Sequence, residues 1–324
     1  MPKARRSETQ RNSGDLNKTN LICTRMPLRI EGTYTALVTP FRDEPGQPVD
    51  WDALDALVDV QVAAGVAGLV PCGTTGESPT LTHEEHAQVI ERTVKRAAKR
   101  VQVIAGAGSN STREAVELAK HSERFGADAA MVVVPYYNKP SQEGLRRHFV
   151  EVARSVRIPI VIYNIPARTG VDLAPETLAK ICVDAPNVVA TKEATGNVLR
   201  AQRLEQTMRD RIVVLSGDDA LTLPMIAVGA RGVISVTSNV LPAEVVRAAD
   251  LALAGRLDEA RRAHIALMQV HDAMFLEANP GPVKAALAMR GAISAVVRPP
   301  LYAASEATRA AIAAALDAYT RSVH

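Results

Sequence analysis

Aromatic residues are scarce in this chain: Trp, Tyr and Phe together make up 3% of 324 residues. A nucleic-acid surface needs stacking platforms and a basic stripe, and neither is present, so nucleic-acid binding is not expected. No apolar run approaches the roughly 20 residues needed to span a bilayer, and the N-terminus lacks the apolar segment of a secretory signal, which argues against a membrane role. Three cysteines, Cys23, Cys72 and Cys182, are odd in number and far apart. They fit neither a disulfide framework nor a paired metal spacing, and they suit a reducing cytoplasm. Cys72 reads as a small buried hydrophobe rather than a reactive thiol.

Excess charge is also missing. The formal +3 arises in residues 1–25, which hold six basic and two acidic side chains, leaving the remaining 299 residues at about −1. That segment is polar and aperiodic, and is expected to be a disordered extension, with an organellar transit peptide as the alternative. The body is 47% hydrophobic, enough to bury a large core.

From residue 33 onward, short β-branched runs alternate with longer amphipathic stretches. Strands are expected at Tyr34–Thr39, Gly68–Cys72, Val101–Ala105, Ala129–Val134, Ile158–Tyr163, Val188–Lys192, Ile212–Leu215 and Gly232–Val236. Helical patterns fall between them, beginning with Trp51–Ala64 and Glu84–Arg100. Eight βα units in about 210 residues predict an α/β protein of the (β/α)8 TIM-barrel type over residues 26–255. Four alanine-rich helical stretches follow, at Pro242–Ala254, Leu257–Leu276, Pro282–Met289 and Ser305–Tyr319. The first closes the barrel; the other three form a C-terminal helical appendage over residues 256–324.

Lys192 stands inside the apolar run Val188-Val189-Ala190-Thr191-Lys192, and of nine lysines it reads as the only one so placed. Burial penalises the ammonium and lowers its pKa toward the range where a nucleophilic neutral amine exists. Such an amine can hold a carbonyl substrate as a Schiff base. The alternative is a strand-end lysine that snorkels to solvent or pairs with Glu193.

Barrel chemistry gathers at the C-terminal ends of strands, and those ends are polar here. Strand two ends in Gly73-Thr74-Thr75-Gly76-Glu77-Ser78, whose hydroxyls and backbone N–H groups could hold a carboxylate or relay a proton, or form an ordinary loop. Strand four ends in Tyr136-Tyr137-Asn138 and strand five in Tyr163-Asn164-Ile165-Pro166-Ala167-Arg168, so three of six tyrosines meet at this face. Tyrosines beside a buried lysine suggest proton transfer, or else amphipathic rim packing with the hydroxyl in water, and Arg168 offers a planar fork for a carboxylate or is simply a surface arginine. Asp218 and Asp219 follow strand seven. No metal is expected there, because no His or Cys converges and Asp219 suits a helix N-cap. His83 and His86 read as helix-surface histidines, with metal binding the less favoured reading.

In order, Gly73-Thr74-Thr75-Gly76-Glu77, Tyr136-Tyr137-Asn138, Tyr163 through Gly170, and Lys192-Glu193-Ala194-Thr195-Gly196 resemble the dihydrodipicolinate synthase family, over about residues 28–320. The resemblance implies a class I aldolase-type condensation of pyruvate with aspartate 4-semialdehyde, giving 4-hydroxy-tetrahydrodipicolinate on the way to diaminopimelate and lysine. No organic cofactor is implied. By matching position Lys192 would carry the Schiff base, with Tyr163, Thr74 and Tyr137 as proton relay. Thr75 would hold the pyruvate carboxylate, Arg168 the semialdehyde carboxyl, and the backbone around Gly217 and Ile234 would line the pocket. Tyr137 would reach into a neighbouring subunit of a homotetramer built as a dimer of dimers. Ser78, His83, His86, Asn110, Glu114 and Tyr136 match positions that bind lysine as a feedback inhibitor, with Pro79 in place of the small residue often found among them. Related barrels acting as sialic-acid lyases or sugar-acid aldolases are disfavoured by Arg168 and by the Tyr136-Tyr137-Asn138 turn. A non-catalytic keto-acid or amino-acid sensor is disfavoured because every expected catalytic position is filled.

Overall fold

The computed structural model describes residues 28–323, so the expectation for residues 1–25 lies outside the described part. Eight parallel strands close into one barrel in sequence order. They are β1 (Gly32–Ala36), β2 (Gly68–Val70), β3 (Gln102–Gly106), β4 (Ala129–Val133), β5 (Ile160–Asn164), β6 (Val188–Glu193), β7 (Val213–Ser216) and β8 (Gly232–Ser235). The helices between them are α1 (Trp51–Ala63), α2 (His83–Ala97), α3 (Thr112–Arg124), α4 (Gln142–Arg154), α5 (Pro166–Thr169), α6 (Pro175–Asp184), α7 (Val198–Met208) and α8 (Thr222–Ala227). After β8 come α9 (Pro242–Leu253), α10 (Leu257–Ala273), α11 (Gly281–Met289) and α12 (Glu306–Val323). The (β/α)8 expectation holds. The one unforeseen helix, α5, is a single turn started by Pro166, whose fixed φ suits a first helical position. Among the described residues no helix is long and apolar enough to cross a membrane.

A strand's period of two sorts its side chains between the barrel interior and the helical layer. On β5, Val161 and Tyr163 join the interior cluster, whereas Ile160 and Ile162 pack with Leu145 and Phe149 of α4 and with Leu178 and Ile181 of α6. Helix α2 begins with a capping box, Thr82 accepting from the Glu85 amide and Glu85 accepting from the Thr82 amide.

The C-terminal helices share the barrel's core. Val283 and Leu287 of α11 and Ile312 and Ala315 of α12 belong to the same apolar cluster as Leu37, Val70 and Ile234. An ion pair joins the two regions: Lys284 Nζ of α11 lies 2.5 Å from Glu77 Oε1, both fully buried. The same amine donates to the Val296 carbonyl at 3.0 Å and sits 4.0 Å from the centre of the Phe41 ring. Arg298 donates its backbone N–H to Glu77 and binds Glu85 of α2 through two 2.7 Å hydrogen bonds. This corrects the reading that Lys192 alone is buried. The run Pro282-Val283-Lys284-Ala285-Ala286-Leu287 carried the same signal, but on a helix.

Candidate active site

The register of β5 on β6 sets Tyr163 directly beside Lys192. Both point into the barrel and both are 5% exposed. The amine of Lys192 lies 4.3 Å from the centre of the Tyr163 ring. Burial pulls its pKa down to about 8, while the Asp219 charge opposes the shift and Arg168 adds to it. At pH 7 roughly a tenth of the amine is then neutral, against roughly one part in three thousand at the ordinary value. Burial pushes the Tyr163 phenol up to about 12, with the Arg168 charge and the Thr74 hydroxyl opposing, so it stays protonated as a donor.

Neither bland reading of Lys192 holds. It does not snorkel, and Glu193 points to the opposite face of the strand. There Glu193 binds Arg200 Nε of α7 at 2.9 Å and accepts from the Thr195 amide at 3.0 Å. Lys192 also needs space from β7. A Cβ on Gly217 would stand 2.6 Å from Ala194 Cβ and 3.2 Å from Lys192 Cε, so only glycine leaves the stem undisturbed.

Opposite the lysine, the turn after β2 is pinned by its own backbone, with the Glu77 amide donating to the Thr74 carbonyl at 3.1 Å and the Ser78 amide to that of Gly73 at 3.3 Å. Thr75 is buried. Thr74, Thr75, Tyr163, Arg168, Lys192 and Gly217 surround a cavity of about 50 Å³. Val236, the residue after β8, lines it rather than the buried Ile234 of that strand. Met131, Phe275 and Asn279 also line it, and none was singled out in the sequence. Phe275 and Asn279 come from the connection between α10 and α11. A polar residue at the Asn279-Pro280-Gly281-Pro282 break was the available signal.

Asp219 caps nothing, contrary to expectation. Asp218 is the N-cap of the short 3₁₀ turn Asp219–Leu221, accepting from the Ala220 amide at 3.0 Å. Asp219 instead accepts from the Val236 and Thr237 amides at 2.8 and 3.1 Å and from the Ser235 hydroxyl, and so holds the end of β8. Cys72 and Cys182 are buried free thiols whose pKa values burial raises.

A wider cavity of about 470 Å³ opens from the inner site, sharing Thr74, Tyr163 and Arg168 with it. Ser78, His83, His86, Glu114 and Tyr136 line it, and Asn110 does not. His83 Nε2 is 3.4 Å from Glu114 Oε1, and the other Glu114 oxygen accepts from Ser109. His86 is buried rather than on the helix surface, and burial, aided by the nearby His83, lowers its pKa to about 4. Tyr137 is apart from both cavities. It is 89% exposed, with a left-handed φ of 70° that turns it out of the barrel mouth.

Fold and site define a class: a (β/α)8 barrel with a buried lysine amine at the C-terminal ends of its strands, the face where such barrels carry their chemistry. The comparisons narrow the class. The chain belongs to the dihydrodipicolinate synthetase family, whose model matches residues 29–319. It is 58% identical over 289 residues to a 4-hydroxy-tetrahydrodipicolinate synthase from Sorangium cellulosum (strain So ce56), covering 89% of this chain and 96% of that one. Among solved structures it is similar to the dihydrodipicolinate synthase of Acinetobacter baumannii complexed with pyruvate, at 41% identity and TM-score 0.88, covering 90% and 99% of the two chains. It is also similar to the DHDPS of Cyanidioschyzon merolae with lysine bound, at 38% identity and TM-score 0.86, covering 90% and 98%.

Proposed function

We propose that this protein condenses pyruvate with aspartate 4-semialdehyde to 4-hydroxy-tetrahydrodipicolinate and water, a lyase reaction that feeds diaminopimelate and lysine synthesis in the cytoplasm. The observation that carries the reading is the buried Lys192 amine beside Tyr163, in a chain of this family. The neutral amine attacks C2 of pyruvate, and loss of water leaves an iminium. Tyr163, with Thr74, supplies and removes the protons of that step. The iminium acts as electron sink when a proton leaves C3, and the resulting enamine attacks the aldehyde carbon. Attack of the semialdehyde's amino group on C2 then closes the ring and releases Lys192. Thr75 holds the pyruvate carboxylate and Arg168, exposed at the mouth, receives the carboxyl group of the second substrate.

Tyr137 fits a relay completed across subunits. An aromatic side chain 89% exposed beside its own site is available to a neighbour's, in a dimer or a dimer of dimers. Lysine as feedback inhibitor fits the wider cavity, where Glu114 can receive an ammonium group and Ser78, His86 and Tyr136 supply polar contacts. The lysine-bound relative supports that reading.

The test is turnover of pyruvate and aspartate 4-semialdehyde in a coupled reductase assay, repeated with Lys192→Ala and with millimolar lysine. Turnover lost in the variant and reduced by lysine is expected. A folded protein that traps pyruvate with borohydride but does not turn over the semialdehyde would redirect the search to sugar-derived acceptors. Unaffected turnover at millimolar lysine would remove the inhibitor from the account.

A further inference from the structure

Asn279 is 6% exposed and lies in the link between α10 and α11, which the Lys284–Glu77 pair ties to the β2 turn. Its Nδ2 donates to Thr75 Oγ1 at 2.9 Å. It lines the inner cavity together with Thr75 and Lys192. Its Oδ1 is buried with no hydrogen-bond partner among the described residues.

A threonine hydroxyl has one proton and two lone pairs. With a lone pair occupied by Asn279 Nδ2, the Thr75 proton is directed to some other acceptor. The backbone of the turn is already fixed by the Glu77 and Ser78 amides, so the Asn279 bond adds orientation of the hydroxyl rather than position of the loop. We infer that Asn279 is a positioning residue that holds Thr75 as a hydrogen-bond donor toward the carboxylate of the keto acid. The inference rests on the proposed function, in which Thr75 binds that carboxylate.

The experiment is Asn279→Ala in the full-length enzyme, alone and in a Thr75→Val background. Loss of one hydrogen bond to a charged group raises KM for pyruvate about ten- to hundredfold. At saturating pyruvate, kcat and the KM for the semialdehyde stay within about threefold, because the Lys192–Tyr163 pair is untouched. In the Thr75→Val background the second substitution changes KM by less than about threefold, since the hydroxyl it orients is gone. An unchanged KM in Asn279→Ala, or an equal rise in both backgrounds, overturns the inference. If circular dichroism shows the alanine variant unfolded, Asn279→Asp, close in volume, is read the same way. Its carboxylate can only accept from Thr75, so KM for pyruvate rises, and an unchanged KM overturns the inference. A wild-type enzyme with neither adduct nor turnover would overturn the proposed function and this inference with it. Robust wild-type turnover with unchanged variant KM would overturn the inference alone.

Discussion

Replacing Lys192 by methionine keeps the unbranched stem and deletes the ammonium. The folded state lowers the pKa of Lys192 from 10.5 to about 8, chiefly by burial. That lowering corresponds to roughly 3 kcal/mol by which the buried charge opposes folding wherever both states are protonated, below about pH 8. Between pH 8 and 10.5 the unfolded chain binds more protons than the folded one, so stability rises with pH across that window and the penalty disappears. Methionine carries no such penalty. Lys192→Met should therefore be more stable than the wild type at pH 7 by up to about 3 kcal/mol, less up to about 1 kcal/mol for the lost amine–ring contact with Tyr163. The advantage should shrink toward zero near pH 10.5. Urea unfolding at pH 7 and pH 10, at matched protein concentration and with refolding checked, measures both numbers. A variant less stable than wild type at pH 7, or a difference that does not change with pH, would refute the reasoning that the site stores an unfavourable charge.

Other expectations follow from the same geometry. In pH profiles, kcat/KM for pyruvate should rise with unit slope up to about pH 8 and then level, because the reactive species is the neutral amine; a flat profile between pH 6 and 8 would count against it. Glu77→Gln strands the buried Lys284 and should cost about 3–5 kcal/mol in urea unfolding, whereas Glu77→Leu with Lys284→Met should recover most of that loss. Gly217→Ala should lower the rate of pyruvate adduct formation by about tenfold or more, since the added methyl presses on Lys192 Cε and Ala194; an unchanged trapping rate would mean that the stem relaxes freely.

Legibility in the sequence followed the range of the interactions. The strands were readable because a barrel strand buried on both faces shows as an unbroken β-branched run, as in Ile160-Val161-Ile162. Lys192 stood out for the same reason, a charge interrupting such a run. Lys284 did not, because helix α11 is apolar nearly all round and its alanines hid the burial. Asn279 carried only the weak signal of a polar residue at a Pro-Gly-Pro break, because its partner Thr75 is 204 residues away and no local pattern encodes that meeting. The same holds for Asp219, whose partners Ser235, Val236 and Thr237 lie on the next strand end. Its neighbour Asp218 took the local capping role that Asp219 was expected to fill. The C-terminal helical appendage was legible because its pattern is complete in itself; that α11 and α12 share an apolar cluster with the barrel was not, because that packing is long-range.

The central claim is that Lys192 is the amine that holds the keto acid. Its most direct test is to add pyruvate and borohydride to the wild-type enzyme, digest it, and locate the reduced adduct by mass spectrometry. One adduct per chain is expected, on the peptide containing Lys192, and none in Lys192→Ala. An adduct on Lys284 or another lysine, or no adduct on an enzyme that turns pyruvate over, would contradict it.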